Sequence, residues 1–288
     1  MDGECISHCG SHPNHPMTPL PLEDNVADIV GKAMRGLQLN DSQVATRAGL
    51  SAAAVESLRE GNFSESTARA IAPVLHLGAE ALVALGNQAW RPQPVVLVGL
   101  ACFTTPYADM TVNSYIAFDR SSGAAVAFDT GADCQDMLDF LARERLTLKL
   151  ILLTHTHVDH IADLARLKQK TGAPAFVNER EPRVGAQPFA AGVEFHCGAL
   201  RVATRLTWGH SRGGVTYVIA GLDRPVAVVG DAVFAGSMGG GGVSYHDALR
   251  TNREQILSLP ASTILCPGHG PLTSVGEERE HNPFLSIG

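Results

Sequence analysis

Positive charge is in short supply along this chain. Lys and Arg number 22 against 29 Asp and Glu, a formal net charge of −7. That balance argues against broad nucleic-acid binding, because phosphate contacts need a basic face. Long apolar runs are also absent: none approaches the roughly 20 residues that a membrane-spanning helix needs. The N-terminus is acidic, Pro-rich and His-rich rather than basic and then apolar, so no signal peptide is read. Cysteines lack the tight spacing of a zinc knot or a disulfide framework; Cys5, Cys9, Cys102, Cys134, Cys197 and Cys266 are scattered. These absences set the expected compartment as a reducing cytoplasm. What is there is an ordinary globular composition, 45% apolar and 18% charged over 288 residues. That suffices for one large domain and a small one.

Histidines are plentiful, twelve in all. Three of them share one short turn with a carboxylate, His155-Thr156-His157-Val158-Asp159-His160, directly after the apolar run 150–153. A strand ending in such a loop can aim several side chains at one point. His155 and His157, two apart, can chelate one cation, while Asp159 and His160 can face a second. Imidazole and carboxylate ligands suit zinc, and also iron or manganese. These four do not complete a two-metal site, and three candidates follow downstream. His210 precedes the apolar run 215–220, Asp231 follows the run 226–229, and His269 follows 263–265. Each stands beside Gly, which lets the backbone come close to a cation.

On these residues the segment from about 95 to 288 resembles the metallo-β-lactamase superfamily. Two stretches resemble its glyoxalase II-like (hydroxyacylglutathione hydrolase-like) branch. One runs from Gly230-Asp231-Ala232 to Gly239; the other is Pro267-Gly268-His269-Gly270-Pro271, continuing to Asn282-Pro283-Phe284. The resemblance implies an α/β fold, an αββα sandwich, and two divalent metal ions. His155, His157 and His210 would hold the first; Asp159, His160 and His269 the second; Asp231 would bridge both. Asp159 and Asp231 are then the catalytic carboxylates. The implied activity is hydrolysis of a small thioester or ester by a hydroxide shared between the ions, whose charge lowers the pKa of water. The metal also stabilises the tetrahedral oxyanion, and a thiolate leaves with little acid help.

Asp129, in Phe128-Asp129-Thr130-Gly131, matches the superfamily's Asp-then-Gly turn. It would orient the ligands from behind, or else satisfy its own turn backbone. Asn113 and Tyr115 read as structural, Cys266 as an inert buried thiol, and Arg212 as a solvated side chain. The chain departs from the branch at Gly239-Gly240-Gly241-Gly242, where an Arg usually follows. Four glycines make a mobile loop without a charged anchor at the substrate mouth. Two alternatives stay open: a mononuclear iron enzyme like the persulfide dioxygenases, and a DNA-binding regulator with a metal-dependent sensing domain.

Upstream, residues 1–23 read as a disordered tail, 24–89 as a small all-α domain, and 90–94 as a linker to the hydrolase domain at 95–288. Val26, Ile29, Val30, Met34 and Leu37 fall at helical spacing. Asn40 or Asp41 caps a second helix, Ser51 a third, and Ser64 or Ser66 a fourth. The stretch from Ser42 to Ser51 resembles the Cro/repressor-like helix-turn-helix class. Its candidate recognition helix offers Arg59 against Glu56 and Glu60 behind a run of alanines, so DNA is a disfavoured partner. Homo-oligomerisation is left open. Strands are expected at 95–100, 114–118, 125–128, 148–153, 175–178, 200–206, 215–220 and 226–229, with helices at 137–145 and 161–170.

Overall fold

The computed structural model describes residues 20–286, so most of the tail expected over 1–23 lies outside the described residues. Asn25 opens α1 (Val26–Gly36) with a capping box closed by Asp28; its side chain accepts from the Ala27 and Asp28 amides. Val26, Ile29, Val30, Ala33 and Met34 form the buried stripe. Asn40, not Asp41, caps α2 (Asp41–Ala48), because its side chain reaches the Gln43 amide, and Gly49 at φ 69° ends the helix. Ser51 caps α3 (Ala52–Arg59), Ser64 caps α4 (Glu65–Ile71), and α5 (Ala79–Gly86) follows.

Among the described residues, twelve strands then build two six-stranded sheets. The first is ordered β1 (Leu100–Tyr107), β2 (Met110–Asp119), β3 (Ala124–Phe128), β4 (Thr147–Leu152), β5 (Ala175–Asn178), β6 (Gln187–Phe189). Its pairs are antiparallel from β1 to β3 and parallel from β3 to β6. The second sheet holds β7 (Glu194–Cys197), β8 (Leu200–Leu206), β9 (Val215–Ala220), β10 (Val226–Gly230), β11 (Ile264–Pro267) and β12 (Thr273–Ser274). Helices α6 (Gln135–Arg143), α7 (Val158–Ile161) and α8 (Leu164–Thr171) belong with the first sheet, and α9 (Tyr245–Thr251) and α10 (Val275–His281) with the second.

Strand alternation sorts the layers. Val126 and Phe128 face Tyr217, Val228 and Cys266 in the core between the sheets. Ala125 and Ala127, one residue out of phase, pack outward on Met137, Leu141, Leu164 and Leu167. On the far side Ala227, Val229 and Leu265 share a single apolar cluster with Val233 and Phe284, and with Ile29, Val30, Met34 and Leu82 of the N-terminal helices. The result is an α/β sandwich of two sheets between helical layers, to which the N-terminal helices contribute. No helix among the described residues is long and apolar enough to cross a membrane.

Two expected elements change. The strand expected at 95–100 starts at Leu100 instead; Val96 is 89% exposed, and Gly99 at φ 86° turns the chain before pairing with β2 begins. Apolar composition there imitated a strand that has no partner. The helix expected at 161–170 is two helices, and the first turn, α7, already carries Asp159 and His160.

Candidate metal centre

The two sheets deliver their strand ends to one rim, where seven side chains converge in two groups. His155, His157, His210 and Asp231 form one, and Asp159, His160 and His269 the other; within each group the candidate ligand atoms lie within 4.8 Å of one another. The loop after β4 supplies His155 and His157, α7 supplies Asp159 and His160, the β8–β9 connection His210, the end of β10 Asp231, and the end of β11 His269.

The partners behind each imidazole set which nitrogen carries its proton. Thr154 Oγ1 donates to Asp129 Oδ2 at 2.7 Å, so it is left to accept from His155 Nδ1 at 3.0 Å. His160 Nδ1 donates to Asp129 Oδ2 at 2.8 Å. His210 Nδ1 donates to the Gly240 carbonyl at 3.0 Å, and His269 Nδ1 to the Thr111 carbonyl at 2.6 Å. With its Nδ1 proton held in this way, each ring, when neutral, turns a bare Nε2 lone pair inward, the arrangement that metal-binding histidines adopt. His157 completes the first group through Nδ1, 3.0 Å from both His155 Nε2 and His210 Nε2.

Asp231 lies between the groups. Its Oδ2 is 3.4 Å from His210 Nε2 and 3.4 Å from His269 Nε2, and its Oδ1 is 3.2 Å from His160 Nε2. Asp159 Oδ2 is 3.3 Å from His269 Nε2. Two buried atoms at the focus, His160 Nε2 and Asp231 Oδ1, have no hydrogen-bond partner among the described residues. Buried polar atoms left so are costly unless something else satisfies them. Gly268 makes room for the cluster: a Cβ there would stand 2.2 Å from Asp231 Oδ1 and 2.5 Å from His160 Cε1.

The electrostatics also call for cations. Burial and the neighbouring imidazoles hold His155 well below its ordinary value. Burial pushes the Asp231 carboxyl up, but His160 and His269 overcome it and hold the group well below the usual carboxylate range. Burial disfavours charge on His160 and His269, yet the surrounding carboxylates raise them to about 10 and about 11. The carboxylates thus draw positive charge to the focus, as protons on those two rings or as a cation in their place, and imidazole and carboxylate donors fit divalent metal ions.

Asp129 does more than close its own turn. It sits at φ 57°, buried, and accepts from the Thr154 amide at 2.7 Å as well as from Thr154 Oγ1 and His160. Asn113 and Tyr115 hold the His269 loop: Asn113 Nδ2 donates to the Gly270 carbonyl at 2.8 Å, and the Tyr115 hydroxyl to the Pro267 carbonyl at 2.6 Å. Glu181, which sequence reasoning missed, accepts from Thr156 and from the Gly213 amide, tying the His155 loop to the His210 loop. A carboxylate in an ordinary turn carries no sequence signal for that task. Cys266 is fully buried between the sheets, where burial raises its thiol, and Arg212 is exposed.

The pattern of the metallo-beta-lactamase superfamily matches residues 108–269, more than half of the chain. The chain belongs to the metallo-β-lactamase superfamily. Its relatives include the probable metallo-hydrolase YqgX of Bacillus subtilis (strain 168), 29% identical over 205 residues, covering 63% of this chain and 95% of that protein. Among solved structures it is similar to the BLEG-1 B3 metallo-beta-lactamase, with 30% identity, TM-score 0.54, and coverage of 65% of this chain and 100% of that one. ETHE1 from Myxococcus xanthus shares the fold at 23% identity and TM-score 0.58, covering 65% of this chain and 84% of that one. As a metallo-β-lactamase superfamily member the chain is a metal-dependent hydrolase with a His/Asp metal site.

Proposed function

We propose that this chain is a binuclear hydrolase of thioesters, of the glyoxalase II-like kind. The observation that carries the reading is the pair of inward-facing ligand groups meeting on one carboxylate, Asp231. His155, His157 and His210 would hold one divalent ion and Asp159, His160 and His269 the other, with Asp231 shared. Zinc fits this donor set, as do iron and manganese. When bound, the ions supply Lewis acidity and a water whose proton is lost near neutral pH.

The chain's own part is positioning and charge. Asp129 fixes His160 directly and His155 through Thr154, so both rings keep one tautomer and one orientation. Asp231 brings a permanent negative charge to the focus, and Asp159 brings a second on the more open side, with 13% of its side chain exposed against 7% for Asp231. No side-chain nucleophile is needed, and a thiolate is a good enough leaving group to depart without a dedicated acid.

The second ligand group supports two ions over a mononuclear iron site: its two imidazoles are as firmly backed as those of the first. Against a regulator, α3 exposes Ala52, Ala53 and Glu56, Glu60 follows it exposed, and Arg59 is paired with Asp41 at 3.4 Å. That face offers little to a DNA groove. We read α2 and α3 as a helix-turn-helix kept for packing.

The test is hydrolysis of S-lactoylglutathione by the purified, metal-analysed chain, beside a chelated control. Chelator-sensitive turnover is expected. A metal-loaded protein that hydrolyses no thioester would overturn the thioester reading.

A further inference from the structure

One wall of the metal cleft comes from α1. Lys32 donates to the Met238 carbonyl at 2.9 Å and is paired with Asp24, which also accepts from the Ser237 hydroxyl. The same ammonium lies 5.2 Å from the centre of the Phe234 ring, which packs against the His269 ring at 5.6 Å. One turn further, Gly36 lies flat on Tyr245, where a Cβ would come within 2.2 Å of the Tyr245 ring. Gly241 meets Tyr245 from the other side, its own Cβ position only 2.4 Å from the Tyr245 Cα.

Between these two contacts a cleft of about 230 Å³ remains, lined by Lys32, Arg35, Gly36, Gly240, Gly241 and Gly242. It adjoins the metal centre, since the Gly240 carbonyl is the acceptor that fixes His210. Whole-ligand pockets run to roughly 300–1,000 Å³, so this volume suits one arm of a substrate. The glycine wall offers only backbone, and both charged side chains lining the cleft are cationic. Lys32 is neutralised by Asp24, whereas Arg35 is exposed and pairs with no carboxylate among the described residues. The nearby Asp28 is engaged with the Asn25 amide at 3.0 Å.

We propose that this cleft is an anion subsite, in which Arg35 binds a carboxylate or phosphate on the part of the thioester remote from its carbonyl. A guanidinium matches either group with two parallel hydrogen bonds. The inference rests on the hydrolase reading above and deepens it: the substrate class is anionic thioesters, and the N-terminal helix selects it.

The test compares kcat/KM of the full, metal-loaded chain on S-lactoylglutathione (carboxylates), acetyl-coenzyme A (phosphates) and neutral phenyl thioacetate. Arg35→Glu and Arg35→Ala should each lower the anionic-to-neutral ratio by about tenfold, the scale of a lost charge-assisted hydrogen bond. The substrate whose ratio falls identifies the anion. An unchanged ratio for both anionic substrates overturns the subsite while leaving the hydrolase reading intact. If the wild-type chain cleaves none of the three, the thioester reading fails, and the subsite is read by calorimetry instead. The probes are then S-methylglutathione and adenosine 3′,5′-bisphosphate. Binding weakened about tenfold by Arg35→Glu supports the subsite; no binding, or binding that ignores Arg35, overturns it.

Discussion

At the metal centre every imidazole but His157 has a fixed acceptor behind it: Thr154, Asp129, the Gly240 carbonyl or the Thr111 carbonyl. In the cleft alongside, one wall is bare glycine and the other is a helix whose Lys32 meets Met238 across 206 residues of sequence. The first region is rigid because its side chains leave no freedom; the second is open because its side chains are few. The contrast separates two duties. On the proposed reading, chemistry belongs where hydrogen bonds over-determine each candidate ligand, and selectivity where Arg35, the cation without a carboxylate partner among the described residues, faces the glycine loop.

The comparison breaks most visibly at Asp231. Asp231→Asn removes the charge common to both ligand groups, and turnover should fall by about a thousandfold or more, with loss of bound metal. Near-normal activity would remove the shared role. Asp129→Ala leaves all seven candidate ligands in place but frees His160 and Thr154; metal affinity should drop about 10–100-fold in a competitive chelator titration. If affinity were unchanged, Asp129 would serve only its own turn.

On the cleft side, Gly36→Ala pushes a methyl group into the Tyr245 ring. A loss of about 1–3 kcal/mol in urea unfolding is expected, the usual scale of overpacking, together with a shifted anionic-to-neutral ratio. An unaffected protein would show that α1 does not seat against α9. The effect most remote from both regions concerns Glu278, fully buried beneath the Gly236 turn. It accepts from Thr273 Oγ1 and Asn282 Nδ2, both at 2.7 Å, and from the Gly236 amide at 3.1 Å. Burial raises its carboxyl from 4.5 to about 8. The folded chain therefore holds this proton more tightly than the unfolded chain does. Its contribution to stability should decline as pH rises between those values, by at most about 1.4 kcal/mol per pH unit. Glu278→Gln should flatten that slope in urea midpoints measured across the interval; an unaltered slope would place the titration elsewhere.

The ligand candidates were legible because titratable residues at strand ends beside glycine are conspicuous. Strands such as β8 and β9 were legible because alternation and β-branched residues agree. Glu181 and Thr154 were not, since an ordinary carboxylate and hydroxyl reveal their partners only once distant loops meet. The partner of α1 was hidden for a related reason. An amphipathic stripe says that Ile29, Val30 and Met34 are buried, not that they share a core with Val229 and Phe284. For the same reason, deleting residues 24–86 should yield an aggregating chain, because that apolar surface would be uncovered.

Metal stoichiometry is the most direct measurement: elemental analysis of the full-length chain after equilibration with zinc and removal of free ion. The two converging ligand groups predict two ions per chain, falling in the Asp231→Asn variant. A wild-type chain that saturates at one ion, or binds none, would contradict the binuclear centre.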